Sequence, residues 1–253
     1  MNPPVYLNHM AITCNLGSDI DEVSKNLFGT IDTSYGGTFF SLTDTYSPDR
    51  LMPLGLVTGQ LKEVAPDAEN SRNNRLLNAT VNQLSGQIND LIAQYGADRI
   101  GIVIGTSTSG IGEGGQALVK GESGYQLKPG YHYETQEFSA PARFLAARLG
   151  LRGPCWVVST ACTSGGKALA SAARLLNLGI CDAVIAGGVD SLCRMTVAGF
   201  SALMVTSDKP CLPFSANRNG INIGEGSGLF IVSREPGEIR LAGVGECSDA
   251  YHI

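Results

Sequence analysis

Long apolar runs are missing from this chain. Nowhere do about 18 apolar residues follow one another, the length a membrane-spanning helix needs, so no membrane span is expected. Histidine is scarce, with three in 253 residues, and tryptophan occurs once. The seven cysteines are scattered, odd in number and never spaced C-x-x-C, so neither a disulfide framework nor a zinc site is indicated. Excess positive charge is also missing. Eighteen Lys and Arg against 23 Asp and Glu leave a net −5, and whole-chain charge gives no support for nucleic-acid binding. Met1-Asn2-Pro3-Pro4 has neither the basic start nor the apolar core of a secretory leader. A reducing cytoplasm is the expected location.

What is present suffices for a substantial core. The chain is 43% hydrophobic, 16% charged and holds 32 glycines, which fits one large globular domain or two small ones. Residues 5–14 read as a strand, and 19–28 as a short helix with Ser18 as its N-cap. Residues 29–70 are rich in Gly, Pro, Thr, Ser and Asp and read as irregular surface structure with short strands. Leu76, Leu77, Val81, Leu84, Ile88, Leu91 and Ile92 recur with helical period, predicting one amphipathic helix over 71–95. Strands are expected at 99–105, 156–159, 183–187, 230–233 and 239–244, and helices at 139–149 and 163–178. Short buried strands alternating with helices imply an α/β layer fold with a mostly parallel sheet.

The most informative stretch is Ser159-Thr160-Ala161-Cys162-Thr163-Ser164-Gly165-Gly166, between the apolar Trp156-Val157-Val158 and an Ala/Leu-rich helical pattern. A cysteine at a strand-to-helix turn meets free N–H groups and the positive end of the helix dipole, both of which stabilise a thiolate. Small neighbours admit a thioester, and a backbone N–H of the turn can steady an oxyanion. The competing reading is a buried structural cysteine.

Five further ordered blocks bear on that choice. They are Leu149-Gly150-Leu151-Arg152-Gly153-Pro154, Asp182-Ala183-Val184-Ile185-Ala186-Gly187-Gly188, Gly199-Phe200-Ser201-Ala202-Leu203, Pro213-Phe214 with Arg218-Asn219-Gly220 and Gly224-Glu225-Gly226-Ser227-Gly228, and Ser248-Asp249-Ala250-Tyr251-His252. From about residue 100 onward the chain resembles the β-ketoacyl-acyl carrier protein synthases, condensing enzymes of the thiolase-like superfamily.

The resemblance implies a thiolase-like layered α/β fold, a mixed sheet flanked by helices, built from two similar halves. Residues 1–253 then form the N-terminal synthase domain, with 238–253 the entry into a second half that supplies two catalytic histidines and a lysine. It implies Cys162 as the acylated nucleophile in a decarboxylative condensation with malonyl-acyl carrier protein. Ile111 matches a residue lining the acyl pocket, Gly199 and Phe200 gate it, and His252 lies near the pantetheine entrance. Arg72 and Arg75, three apart on one helix face, fall near the family's basic carrier-docking patch. No bound cofactor is implied beyond the phosphopantetheine arm of the acyl carrier protein. A dimer is implied, homomeric or with a related subunit, through the strand at 156–159, with residues 131–134 reaching the neighbour's pocket. The short chain alone is expected not to condense. Alternatives are a thiolase acting on acyl-CoA, a non-catalytic partner subunit, against which Cys162 argues, and an inactive fragment.

Other motifs carry less. Gly110-Ile111-Gly112-Glu113-Gly114-Gly115 satisfies G-x-G-x-x-G, but Thr106 to Ser109 separate it from the preceding strand, and 120–130 reads as more loop. Gly224 to Gly228 lacks the Lys-Ser/Thr of a phosphate loop. Its glycines permit tight turns beside the active site. His9 reads as structural, and His132 lies in an aromatic loop. Leu212, Ser215 and Asn219 stand where the family usually has an arginine and two acidic residues, which removes an expected charge network.

Overall fold

A computed structural model of the chain describes residues 3–29 and 39–248. The elements are β1 (Val5–Cys14), α1 (Ile20–Phe28), β2 (Ser41–Thr43), β3 (Met52–Leu54), α2 (Arg72–Asn82), α3 (Ser85–Tyr95), β4 (Ile100–Gly105), α4 (Ile111–Ala117), β5 (Leu118–Gly121), β6 (Gly124–Leu127), α5 (Ala140–Leu149), β7 (Cys155–Val158), α6 (Ser164–Asn177), β8 (Ala183–Asp190), α7 (Arg194–Ala202), β9 (Gly226–Ser233) and β10 (Ile239–Leu241).

Six strands form one sheet in the order β10-β1-β9-β8-β4-β7. The pairings of β4 with β7 and β8 are parallel. Those of β9 with β1 and β8, and of β1 with β10, are antiparallel. The sheet is therefore mixed, and the mostly parallel sheet inferred from alternation alone is corrected. The cause is the connection after β8. Its helix α7 and the loop that follows stay at the C-terminal end of β8, so β9 enters from that end and runs back.

Every residue of β4 is buried. Its side chains alternate between the two faces, as a pleated strand requires. Ile100, Ile102 and Ile104 pack with Leu76, Leu77, Val81, Ile88 and Leu145 on one face. Val103 packs with Ala168, Ala172, Leu175 and Leu176 of α6 on the other. Helices covering both faces explain why these strands read as continuous apolar runs.

Three local expectations need correction. The helix over 71–95 is two helices, broken at Gln83 and Leu84. Leu84 is buried in the core, while the Gln83 amide donates to the carbonyls of Ile12 and Ser18 and accepts from the Ile12 N–H. That clamp onto β1 fixes the joint and lets each half follow the twisted sheet. The α1 N-cap is Asp19, one residue beyond Ser18. Its carboxylate accepts the Glu22 N–H at 2.9 Å, and Glu22 reaches back to the Ser18 N–H at 2.7 Å. Finally, 120–130 is mostly a hairpin rather than loop, with β5 paired to β6 and Gly124 at φ +123° closing its turn.

Candidate active site

The C-terminal ends of β4, β7 and β8 converge on the first turn of α6. Between β7 and α6 lies the turn that carries Cys162. Ala161 there has φ +53°, a left-handed conformation that costs a residue with a Cβ about 1–2 kcal/mol. Local hydrogen bonds hold it. Ser164 Oγ donates to the Ala161 carbonyl at 2.6 Å and accepts the Thr160 N–H at 2.9 Å. Thr163 Oγ1 donates to the Thr160 carbonyl at 2.8 Å. Cys162 emerges exposed, whereas Cys181 and Cys193 are buried. Burial pushes the Cys181 thiol up, away from thiolate.

Close backbone approach sets the site. A Cβ on Gly105, the last residue of β4, would lie 2.4 Å from the Ser164 carbonyl carbon. Only glycine lets the strand end touch the first turn of α6. A cavity of about 470 Å³ opens there, lined by Cys162, Gly165, Asp190, Thr196 and Phe200 among others, with Gly224 and Gly226 also in its wall. Of the first-turn amides, those of Ser164 and Lys167 are taken by the Ala161 and Thr163 carbonyls, which leaves those of Gly165 and Gly166 as the ones that could meet an oxyanion.

Two carboxylates brace the surrounding loops. Asp190 Oδ1, at the end of β8, accepts from Ser107 N, Thr108 N, Thr106 Oγ1 and Thr108 Oγ1 at 2.7–3.1 Å. It ties the turn after β4 to β8. Glu225 is fully buried and accepts from Arg72 Nε at 2.7 Å and from Arg72 Nη2. It also accepts the backbone N–H of Val57 at 3.0 Å and of Leu192 at 3.3 Å. That hydrogen-bonded pair holds the Arg72 guanidinium charged more firmly than usual. The segment from Asp190 to Leu192, which leads into α7, is thus clamped from both sides.

The sequence-derived site residues divide. Cys162 and Phe200 share the cavity. Gly199, beside Phe200, is exposed on α7. Ile111 lines a second cavity, one that Cys193, Arg194 and Met195 at the start of α7 also line. Arg72 turns inward to Glu225, so its charge is neutralised within the fold rather than offered to a carrier. Arg75 is half-buried, with its Nε out of reach of solvent. His252 lies outside the described residues. His9 sits exposed at a register shift in β1, and His132 is exposed. The G-x-G-x-x-G segment does open a helix, α4, but that helix runs into the β5–β6 hairpin rather than a parallel crossover strand. At the altered family positions, neutral bonds replace charge: Ser207 Oγ donates to Asn219 Oδ1 at 3.1 Å.

Sequence reasoning missed Asp190, Thr108 and Thr196. The only signal was the position of Asp190 directly after the Gly187-Gly188-Val189 strand end.

Known proteins agree with this architecture. Residues 74–236 match the family described as β-ketoacyl synthase, N-terminal domain. The 3-oxoacyl-[acyl-carrier-protein] synthase 2 of Rhizobium meliloti (strain 1021) is 35% identical over 176 residues, covering 60% of this chain and 40% of that protein. A chain from the structure of the ketosynthase ApeO in complex with its chain length factor ApeC, from Xenorhabdus doucetiae, superposes with TM-score 0.87 at 38% identity. It covers 99% of this chain and 63% of that one. The structure of a type II acyl-carrier protein in complex with its ketosynthase superposes with TM-score 0.79 at 21% identity, over 100% of this chain and 65% of that one, and shares the fold. This chain thus spans less than two thirds of the length of these relatives. A match over most of its length, on the segment that bears the cysteine turn, means that the chain belongs to the β-ketoacyl synthase family, through that family's N-terminal domain.

Proposed function

We infer that this chain is the nucleophile-bearing half of a condensing enzyme that extends acyl chains in fatty-acid or polyketide synthesis. The observation that carries the reading is Cys162, exposed on a strained strand-to-helix turn and open to a cavity at the start of α6. The Cys162 thiolate attacks the acyl thioester carbonyl. The new C–S bond forms, and the pantetheine thiol leaves with a proton. Decarboxylation of malonyl-carrier then gives a carbanion equivalent that attacks the acyl-cysteine. A 3-oxoacyl chain two carbons longer results.

In this reading the phosphopantetheine arm of an acyl carrier protein brings both substrates; the name of the Rhizobium relative includes an acyl carrier protein. No other cofactor enters the scheme. The acyl pocket extends from Phe200 toward Ile111, across the first turn of α7. A partner subunit, identical or related, pairs with β7. Among the described strands β7 bonds only to β4, and its Trp156 is 37% exposed, an open apolar edge that folded proteins ordinarily cover. The matching Xenorhabdus doucetiae structure is a complex of a ketosynthase with its chain length factor. Seven free cysteines suit a reducing compartment, and no helix among the described residues is long and apolar enough to cross a membrane.

The test is peptide mapping after iodoacetamide or an acyl-pantetheine thioester. The adduct is expected on Cys162 ahead of Cys155 and Cys247, the other exposed thiols. Equal labelling of all three would refute the assignment. Condensation itself is expected only from a chain that also carries the second half. Comparable turnover by these 253 residues alone would place the missing base among His9, His132 and His252.

A further inference from the structure

The cavity on the far side of α7 from the cysteine is the larger one, about 700 Å³. Its separation from the first is thin. Cys193 lines the second cavity, Thr196 lines the first, and Cys193 Sγ lies 3.0 Å from Thr196 Oγ1. That side-chain pair stands at the boundary between them.

The chemistry of the second cavity is unlike an alkyl tunnel. Ile111 and Met195 give it apolar surface, but Tyr46, Gln116, Gln136, Lys128 and Arg194 also line it. Two of these are cations, and among the described residues none that lines the cavity is a carboxylate, in a chain whose acids outnumber its bases 23 to 18. Lys128 and Arg194 are exposed, and like most of the chain's cations neither forms an ion pair among the described residues. Burial and the nearby charge of Glu225 raise the Tyr46 pKa, so its hydroxyl stays protonated as a donor at neutral pH. The wall is rich in donors awaiting an acceptor. Lys128, Arg194 and Gln116 are exposed at the cavity's mouth, where a plain alkyl tail would give them no partner. A tail ending in a carboxylate supplies what they lack.

The geometry points to a specificity for acyl groups bearing a carboxylate at the end remote from the thioester, with Lys128 and Arg194 as the specificity-determining residues. This rests on the condensing reading above, because it makes the second cavity the distal part of the acyl site. The Cys193–Thr196 pair then sets how readily a chain passes from one cavity to the other.

Two pantetheine thioesters of equal length test it: octanoyl, and the half-thioester of octanedioic acid. The readout is the rate at which each mass appears on the Cys162 peptide. The carboxyl-ended acyl group is expected to react about tenfold faster, roughly one partly exposed charge-assisted hydrogen bond's worth. The double variant Lys128→Gln, Arg194→Gln is expected to bring the two rates together. Gly115→Leu should also erase the preference by filling space, since Gly115 lines the cavity and a Cβ there meets no atom within 4 Å. Equal rates in the parent chain, or a preference that the double variant retains, overturn this proposal and leave the condensing reading standing. If neither thioester reaches Cys162, the condensing reading fails and this one with it. If the double variant slows only carrier-borne thioesters, alike for both tails, the two cations belong to carrier docking and the tail specificity is refuted.

Discussion

The two faces of the central sheet are packed by different rules. On the face covered by α2, α3 and α5, large side chains interlock: Leu76, Leu77, Ile88, Phe144 and Leu145 against Ile100, Ile102 and Ile104. On the face covered by α6, Ala168, Ala172 and Ala173 make the contact along the middle of the helix, and Leu175 and Leu176 only toward its C-terminal end. Bulk holds a helix away from a sheet, and alanine lets it settle close. The α6 face needs closeness, because the first turn of that helix must touch the strand end at Gly105 to present Cys162. One face supplies stability through buried area, and the other supplies position.

The experiments that would break this contrast differ in expected size. Cys162→Ala should abolish the acyl adduct entirely while leaving the fold intact, as read by intact mass and urea unfolding. Leu77→Ala on the bulky face should cost about 4 kcal/mol in urea unfolding, through lost burial and the cavity left behind. The acylation rate of the molecules still folded should barely change. Glu225→Ala should cost about 3 kcal/mol, because it strands the Arg72 guanidinium and frees the Val57 and Leu192 amides. Because it also loosens the entry to α7, it should slow acylation beyond its effect on stability. Ala172→Leu on the close face should cost about 2 kcal/mol by overpacking, yet slow acylation of the folded fraction more than Leu77→Ala does. If the two substitutions act alike on acylation, the division between stability and position is wrong.

The smallest effect belongs to the surface. The hydrogen bond from Arg99 holds the Asp182 carboxyl below the usual range. A carboxyl depressed in the folded state stabilises above its unfolded pKa of about 3.9, and that contribution fades as pH falls through the lower folded value. Both side chains are 40% exposed, so solvent screens the pair. Asp182→Asn should lower the melting temperature slightly at pH 7, and the gap should narrow toward pH 3. A gap that ignores pH would discount the pair.

The contrast between the faces also explains what could be read from the sequence. The strands wrote themselves as unbroken apolar runs, the buried β4 and β8 and the half-exposed edge strand β7 alike, so 99–105, 156–159 and 183–187 lie within a residue or a few of β4, β7 and β8. The helix expected over 163–178 differs from α6 by one residue at each end. Cys162 was legible because its turn is local: strand, small residues and helix are contiguous. The bracing was not. Arg72 and Glu225 stand 153 residues apart, and no periodicity links them. The break at Gln83 was hidden because the glutamine answers to β1, 71 residues away, while the apolar period runs on past it. That Ile111 and Cys162 line two separate cavities is likewise something spacing along a chain cannot show.

The position of β1 has a consequence during synthesis. Tyr6 pairs with Ser233 on one side and with Arg240 on the other. β1 is therefore made well before the two strands that flank it. At translation rates of about 5–20 residues per second, a gap of 227 residues, from 6 to 233, means a wait of roughly 10–45 s. Through that interval β1 carries Val5 and Ala11, both buried in the finished sheet, without the strands that will flank it. Delayed closure of this kind favours slow folding and exposes a nascent chain to capture by chaperones or by its own copies.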